Sequence, residues 1–192
     1  MKKILLGLFA ISALSYGASN NHLYLRGEFS PFANYDIESQ NKIQNKDKID
    51  EAEYGFAFEV MQDITREVEF GLGIGYQRHG DFSYEYDYNG AKLPRFASVP
   101  VYVTGKYKLF NVGQWTPYLK GDLGYSFNDL NSNDNFSYES GLYYGVGFGV
   151  EIQNLSLEFA YRVNEGKVKA ENEKYDLTNK RVMFGAAYKF DI

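Results

Sequence analysis

Apolar and polar residues alternate one by one along most of this chain. From Val68 to Tyr76, one parity holds Val68, Phe70, Leu72, Ile74 and Tyr76; the other holds Glu69, Gly71, Gly73 and Gly75. A β-strand sends these two sets to opposite faces. A water-facing row of glycines would only weaken a strand. In a small membrane barrel the apolar row meets lipid, and small residues relieve crowding in the lumen.

The alternation recurs in about eight segments of around ten residues, the length a tilted membrane strand needs. They lie near residues 22–33, 53–62, 68–78, 96–109, 116–127, 140–152, 155–164 and 180–190. The connections alternate too. Residues 62–66, 110–114 and 153–154 are short turns; 34–52, 80–95, 128–139 and 165–178 are long and polar. Short turns on one rim and long loops on the other mark an outer-membrane barrel, with the long loops outside the cell. The expectation is an all-β fold: a closed up-and-down antiparallel transmembrane β-barrel of about eight strands. The alternative is a soluble sandwich or ligand-binding barrel with the apolar face as its core. Glycines clustered on the charged face and the long–short loop alternation argue against it.

Residues 1–18 have the basic start and short apolar run of a secretory signal peptide, with cleavage placed between 15 and 18. Residues 19–192 form the predicted barrel domain. Net charge is −5, which excludes the basic footprint of a nucleic-acid binder. The absence of cysteine excludes disulfides, cysteine-bound zinc and cysteine nucleophiles.

Charges of both signs fall on the inward parity: Arg26, Glu28, Glu59, Glu69, Lys106, Asp122, Glu151, Glu158, Arg162 and Arg181. In a barrel of about eight strands the interior is only wide enough to be filled by side chains. Buried charges there must be paired. The expectation is a plugged lumen in which Arg26, Arg162 and Arg181 pair with Glu28, Glu59, Glu69, Glu151 and Glu158. An ion-conducting pore is the alternative. Tyr76, Tyr107, Trp115, Tyr125, Tyr161, Tyr188 and Phe190 fall on the outward parity near strand ends, as two girdles at the membrane interfaces.

Two stretches, Ser98-Val99-Pro100-Val101-Tyr102-Val103 and Thr116-Pro117-Tyr118-Leu119-Lys120-Gly121-Asp122-Leu123-Gly124-Tyr125, resemble the middle strands of the small outer-membrane β-barrel family of the OmpA/OmpX and opacity-protein type. Ala186-Ala187-Tyr188-Lys189-Phe190 resembles the terminal strand that such proteins present to the barrel-assembly machinery. Family members usually stop at the aromatic residue, and here Asp191 and Ile192 follow. The resemblance implies the fold and a cell outer membrane location, with outer-membrane lipids and lipopolysaccharide as partners. It fixes no function, because members serve as adhesins, anchors, small pores and, rarely, lipid enzymes.

Chemistry has little foothold. His79 at the outer end of the third segment, with Asp81 and Ser83, is the one candidate for attack on a lipid ester, weighed against a solvated loop histidine. The aromatic run 82–88 reads as a projecting hairpin or a ligand platform. Loop 34–52 reads as mobile and solvated, and its carboxylate spacing matches no calcium loop. The expected protein is therefore not an enzyme and needs no cofactor or metal. It is a structural or adhesive barrel acting through four long loops on a host or surface ligand. A small-solute pore stays open as the alternative, with a lipid-modifying enzyme behind it.

Overall fold

The computed structural model describes residues 20–39, 42–48, 52–79, 97–128, 136–170 and 173–192. It contains β1 (Asn21–Ser39), β2 (Lys42–Lys48), β3 (Glu53–Asp63), β4 (Val68–Arg78), β5 (Ala97–Lys108), β6 (Trp115–Phe127), β7 (Phe136–Glu139), β8 (Gly141–Ile152), β9 (Leu155–Ala170) and β10 (Glu173–Asp191). Eight of these are long, and each pairs antiparallel with its neighbours in the order β1-β3-β4-β5-β6-β8-β9-β10. The pairing of β10 with β1 closes the circle, so the barrel has no free edge.

The barrel is apolar outside and polar inside. Phe56, Phe58, Phe70, Ile74, Leu119, Leu123, Val146, Phe148, Leu157 and Phe184 are exposed on its outer face. Exposed apolar surface on each of the eight long strands is what a lipid solvent requires and what water would penalise. The interior holds Arg, Lys, Glu and Tyr side chains instead of an aliphatic core.

The lumen glycines have a direct steric cause. A Cβ on Gly73 would lie 2.8 Å from Tyr102 Oη and overlap its ring; one on Gly149 would lie 2.5 Å from Tyr118 Oη. The space kept open at these two positions is filled by tyrosine rings, whereas at Gly145 it is filled by the stem of Arg162.

Three of the expected loops are in part strand; the end of loop 128–139 forms β7, paired with Lys167–Ala170 of β9. β1 continues to Ser39, pairing Asn34–Glu38 with Asp176–Lys180 of β10 and forming a hairpin with β2. β9 and β10 pair as far as Ala170 and Glu173, with Lys167 and Asp176 ion-paired at 3.0 Å. Segments 34–52 and 165–178 are rich in charged and amide residues and carry few large apolar ones, so their short alternations, Tyr35-Ile37 and Val168-Ala170, fall below a membrane strand's length. Backbone pairing needs no longer alternation. Likewise residues 42–48, expected as part of a mobile loop, form β2. A bulge between Phe29 and Phe32, at Pro31, resets the parity of β1, so Phe32 faces out and Ala33 in. The signal peptide, loop 80–95, Asp81, Ser83 and the run 82–88 lie outside the described residues.

Candidate functional site in the barrel lumen

Inward parity alone brings residues from all eight long strands to one axis, where they sort into three tiers. At the long-loop end, His79 Nε2 is 2.8 Å from Ser98 Oγ and Nδ1 is 3.3 Å from Glu53 Oε2. Asn179 donates to Glu53 Oε1 at 3.1 Å, and the Arg181 guanidinium lies 3.5 Å from Glu53 Oε2. His79 is buried, so it is not a solvated loop histidine. It lies after the last residue of β4, where pairing with β5 turns it inward against Ser98.

The middle tier is the densest. Arg26 forks to Glu158 and, at 3.0 Å, to Glu59. Arg162 reaches Glu28 at 2.5 Å, Asp122 at 3.2 Å and Glu158 at 3.3 Å. Lys120 holds Glu59 at 2.6 Å and Asp122 at 3.4 Å. Hydroxyls fill the remaining acceptors: Tyr102 donates to Glu59 at 2.8 Å, Thr104 to Asp122 at 2.7 Å and Tyr118 to Glu158 at 3.2 Å. Glu59, Asp122 and Glu158 each have two cations and a hydroxyl, and Glu28 has the Arg162 guanidinium, which is the condition for keeping charge out of water.

At the short-turn end Lys106 donates to Glu151 at 3.0 Å and to Tyr24 Oη at 2.8 Å, and lies 3.3 Å from Glu69. Its ammonium also sits 4.0 Å above the Tyr24 ring, a cation–π contact in a desolvated site. Lys108 and Lys189 cover Glu69 and Glu151 from the rim, at 2.6 and 3.0 Å.

The expected pairings are corrected in three places. Glu69 and Glu151 pair with lysines, because Lys106 stands directly across from Glu69 in the β4–β5 register. The carboxylate beside Arg181 at ion-pair distance is Glu53, at the first position of β3. Lys120, an inward charge, and Tyr24, Tyr102 and Tyr118, which are inward but uncharged, belong to the network although the expected pairings assigned them no partner. Their inward parity was the available signal. Of the outward aromatics, Tyr107, Trp115, Tyr125, Tyr161, Tyr188 and Phe190 are exposed, while Tyr76 is half-buried and stacks on Phe56 at 5.5 Å.

This arrangement can bind, brace and exclude water. The innermost side chains at every tier, among them Glu53, Glu59, Glu69, Tyr143 and Arg162, are at most 1% exposed.

Comparison with known proteins agrees with the inside-out build. The family model for the outer membrane protein beta-barrel domain matches residues 4–190. A Pasteurella multocida protein described as uncharacterized is 26% identical over 99% of this chain and 98% of its own length. Among solved structures, the outer membrane protein AlkL in lipid bilayers aligns with a TM-score of 0.57 at 12% identity, over 92% of this chain and 93% of its own. The outer membrane protein OprG of Pseudomonas aeruginosa aligns with a TM-score of 0.54 at 14% identity, over 92% and 99%. With eight strands closed around a charged lumen and an apolar exterior, this chain belongs to the outer membrane protein β-barrel domain family and resides in the cell outer membrane.

Proposed function

We propose that this barrel is a sealed anchor that acts through its outer loops, in a structural or adhesive role. The observation that carries this reading is the lumen. Charged and tyrosine side chains fill the interior at three successive levels and are buried there, which supports the loop rim as the surface available for work. Strand lengths support the same reading. β1 and β10 have 19 residues and β9 has 16, against 11 in β3 and β4, and the excess is at the long-loop end. That side of the wall rises as a paired ledge able to carry loops away from the lipid surface. Lipopolysaccharide at the rim and a host or surface ligand on the loops are the partners this role calls for. Residues 1–18 would serve as the export signal, and the closing strand β10 as the segment read by the assembly machinery.

Planar-bilayer recording tests the sealed lumen: purified barrel should give no steady conductance. Step-like, reproducible conductance would replace this reading with a small-solute pore. Binding of whole cells to host-cell or matrix surfaces should fall when the loops are shortened while the barrel still assembles. Equal binding by the shortened form would remove the adhesive role.

A further inference from the structure

Asp63 and Glu69 stand directly across from each other where β3 turns into β4, both on the inward parity. Like charges at directly paired positions repel, so this pair calls for a cation between or beside them. His22 of β1 completes a cluster: one ligand atom each from His22, Asp63 and Glu69 lie within 4.8 Å of one another.

The histidine is oriented in a specific way. Its Nδ1 is 2.8 Å from Asp191 Oδ1 at the end of β10, and its Nε2 is 3.3 Å from Asp63 Oδ2. With the Nδ1 proton donated to Asp191, the Nε2 lone pair faces the Asp63 carboxylate, and two electron-rich groups point at each other. A carboxylate behind Nδ1 is the usual support of a metal-bound histidine, fixing the tautomer that leaves Nε2 free to coordinate. Glu69 is set in the same sense. Its Oε2 accepts from Tyr24 at 2.9 Å and lies 3.3 Å from Lys106. The remaining carboxylate oxygens are Glu69 Oε1 and the buried Asp63 Oδ1, the latter without a hydrogen-bond partner among the described residues. The positive charge facing both atoms is the Lys108 ammonium, 2.6 Å from Glu69 Oε1 and 3.7 Å from Asp63 Oδ1. That side chain is 19% exposed.

We propose that His22, Asp63 and Glu69 form a divalent transition-metal site at the short-turn rim, with zinc as the ion its nitrogen–oxygen donor set fits best. Three protein ligands leave a fourth tetrahedral position for water. Asp191 is the positioning residue for His22. Lys108 is the resident counter-charge, which the metal displaces toward solvent. The ion would tie β1 to the β3–β4 turn, and through Asp191 to the last residue of β10, across the seam at which the barrel closes.

The test uses the full barrel refolded in detergent, stripped with chelator and titrated with zinc chloride alone. A parallel titration uses cobalt(II). Wild type should take up one zinc per chain, and cobalt should give the visible spectrum of a four-coordinate site. Asp191→Asn removes no ligand and should weaken zinc binding by about 10–100-fold. Lys108→Gln should strengthen it, because the competing ammonium is gone. Heat-modifiable migration of each variant on gels shows that the barrel is folded. Absence of saturable zinc uptake by folded wild type would overturn the site, as would undiminished uptake by folded His22→Gln or weaker uptake by folded Lys108→Gln.

Discussion

Arg162 of β9 donates to Glu28 of β1 at 2.5 Å, although β10 lies between the two strands. The bond spans β10, so it requires the pairing of β10 with β1 that closes the barrel. Removing Arg162 leaves Glu28 buried without a cation at ion-pair distance among the described residues, which costs about 3–5 kcal/mol. Arg162→Met should therefore lower the stability of the folded barrel by that order in urea titrations. The Glu28→Leu/Arg162→Met double variant should recover most of it. Strict additivity of the two single effects would mean the residues do not communicate.

Gly73 and Gly149 set the width of the lumen at Tyr102 and Tyr118. Gly73→Leu should overpack the interior and lower stability by about 1–3 kcal/mol or stop closure. The fraction migrating as the compact, unheated form on a gel reads this out. Combining Gly73→Leu with Tyr102→Ala should restore part of that fraction, since the ring it meets is gone. Full yield from Gly73→Leu alone would place Gly73 on the wrong face.

Leu123 faces outward and Asp122 inward on adjacent positions of β6. A lipid-facing arginine near the bilayer midplane costs about 2–4 kcal/mol. Leu123→Arg should lose that amount in lipid vesicles. In a barrel built for water the same change would be nearly neutral, so unfolding in vesicles measures the solvent directly.

Gln153 holds the two-residue turn between β8 and β9 with φ 54°, a left-handed conformation. That conformation costs a non-glycine residue roughly 1–2 kcal/mol. Gln153→Gly should therefore be neutral to stabilising by up to about 1 kcal/mol, even though glycine elsewhere in this hairpin would weaken it. A clear loss in urea titration would show that the Gln153 side chain matters more than its backbone.

The period-two pattern made most of the architecture legible. Val68–Tyr76 and its companions announced eight long strands, their parity and the inside-out solvent arrangement, because each spanning strand must satisfy lipid on one face and a narrow lumen on the other. The pattern fell silent where lipid stopped. β1 beyond Asn34, β2, and the upper parts of β9 and β10 are strands whose sequences hold few large apolar residues. They are held by backbone pairing that composition does not display.

The pairing inside the lumen was not legible in the same way. Sequence parity put Arg26, Arg162, Glu59 and Glu158 on one side of their strands, but four side chains pointing inward can pair in many ways. The order of strands, their stagger and the closure of β10 on β1 decide which ones meet. Those three features put Lys106 beside Glu69, Arg181 beside Glu53 and His79 against Ser98. They also gave the two residues after Phe190 a place. Asp191 meets His22, and the Ile192 N–H donates to Asn21 O at 3.0 Å, both at the seam. What the sequence by itself determined is which face of each strand meets lipid, since that is a local property of alternate residues. Which charges neutralise one another was decided only by the tertiary structure, because partners up to 134 residues apart are brought within reach solely by closing the barrel.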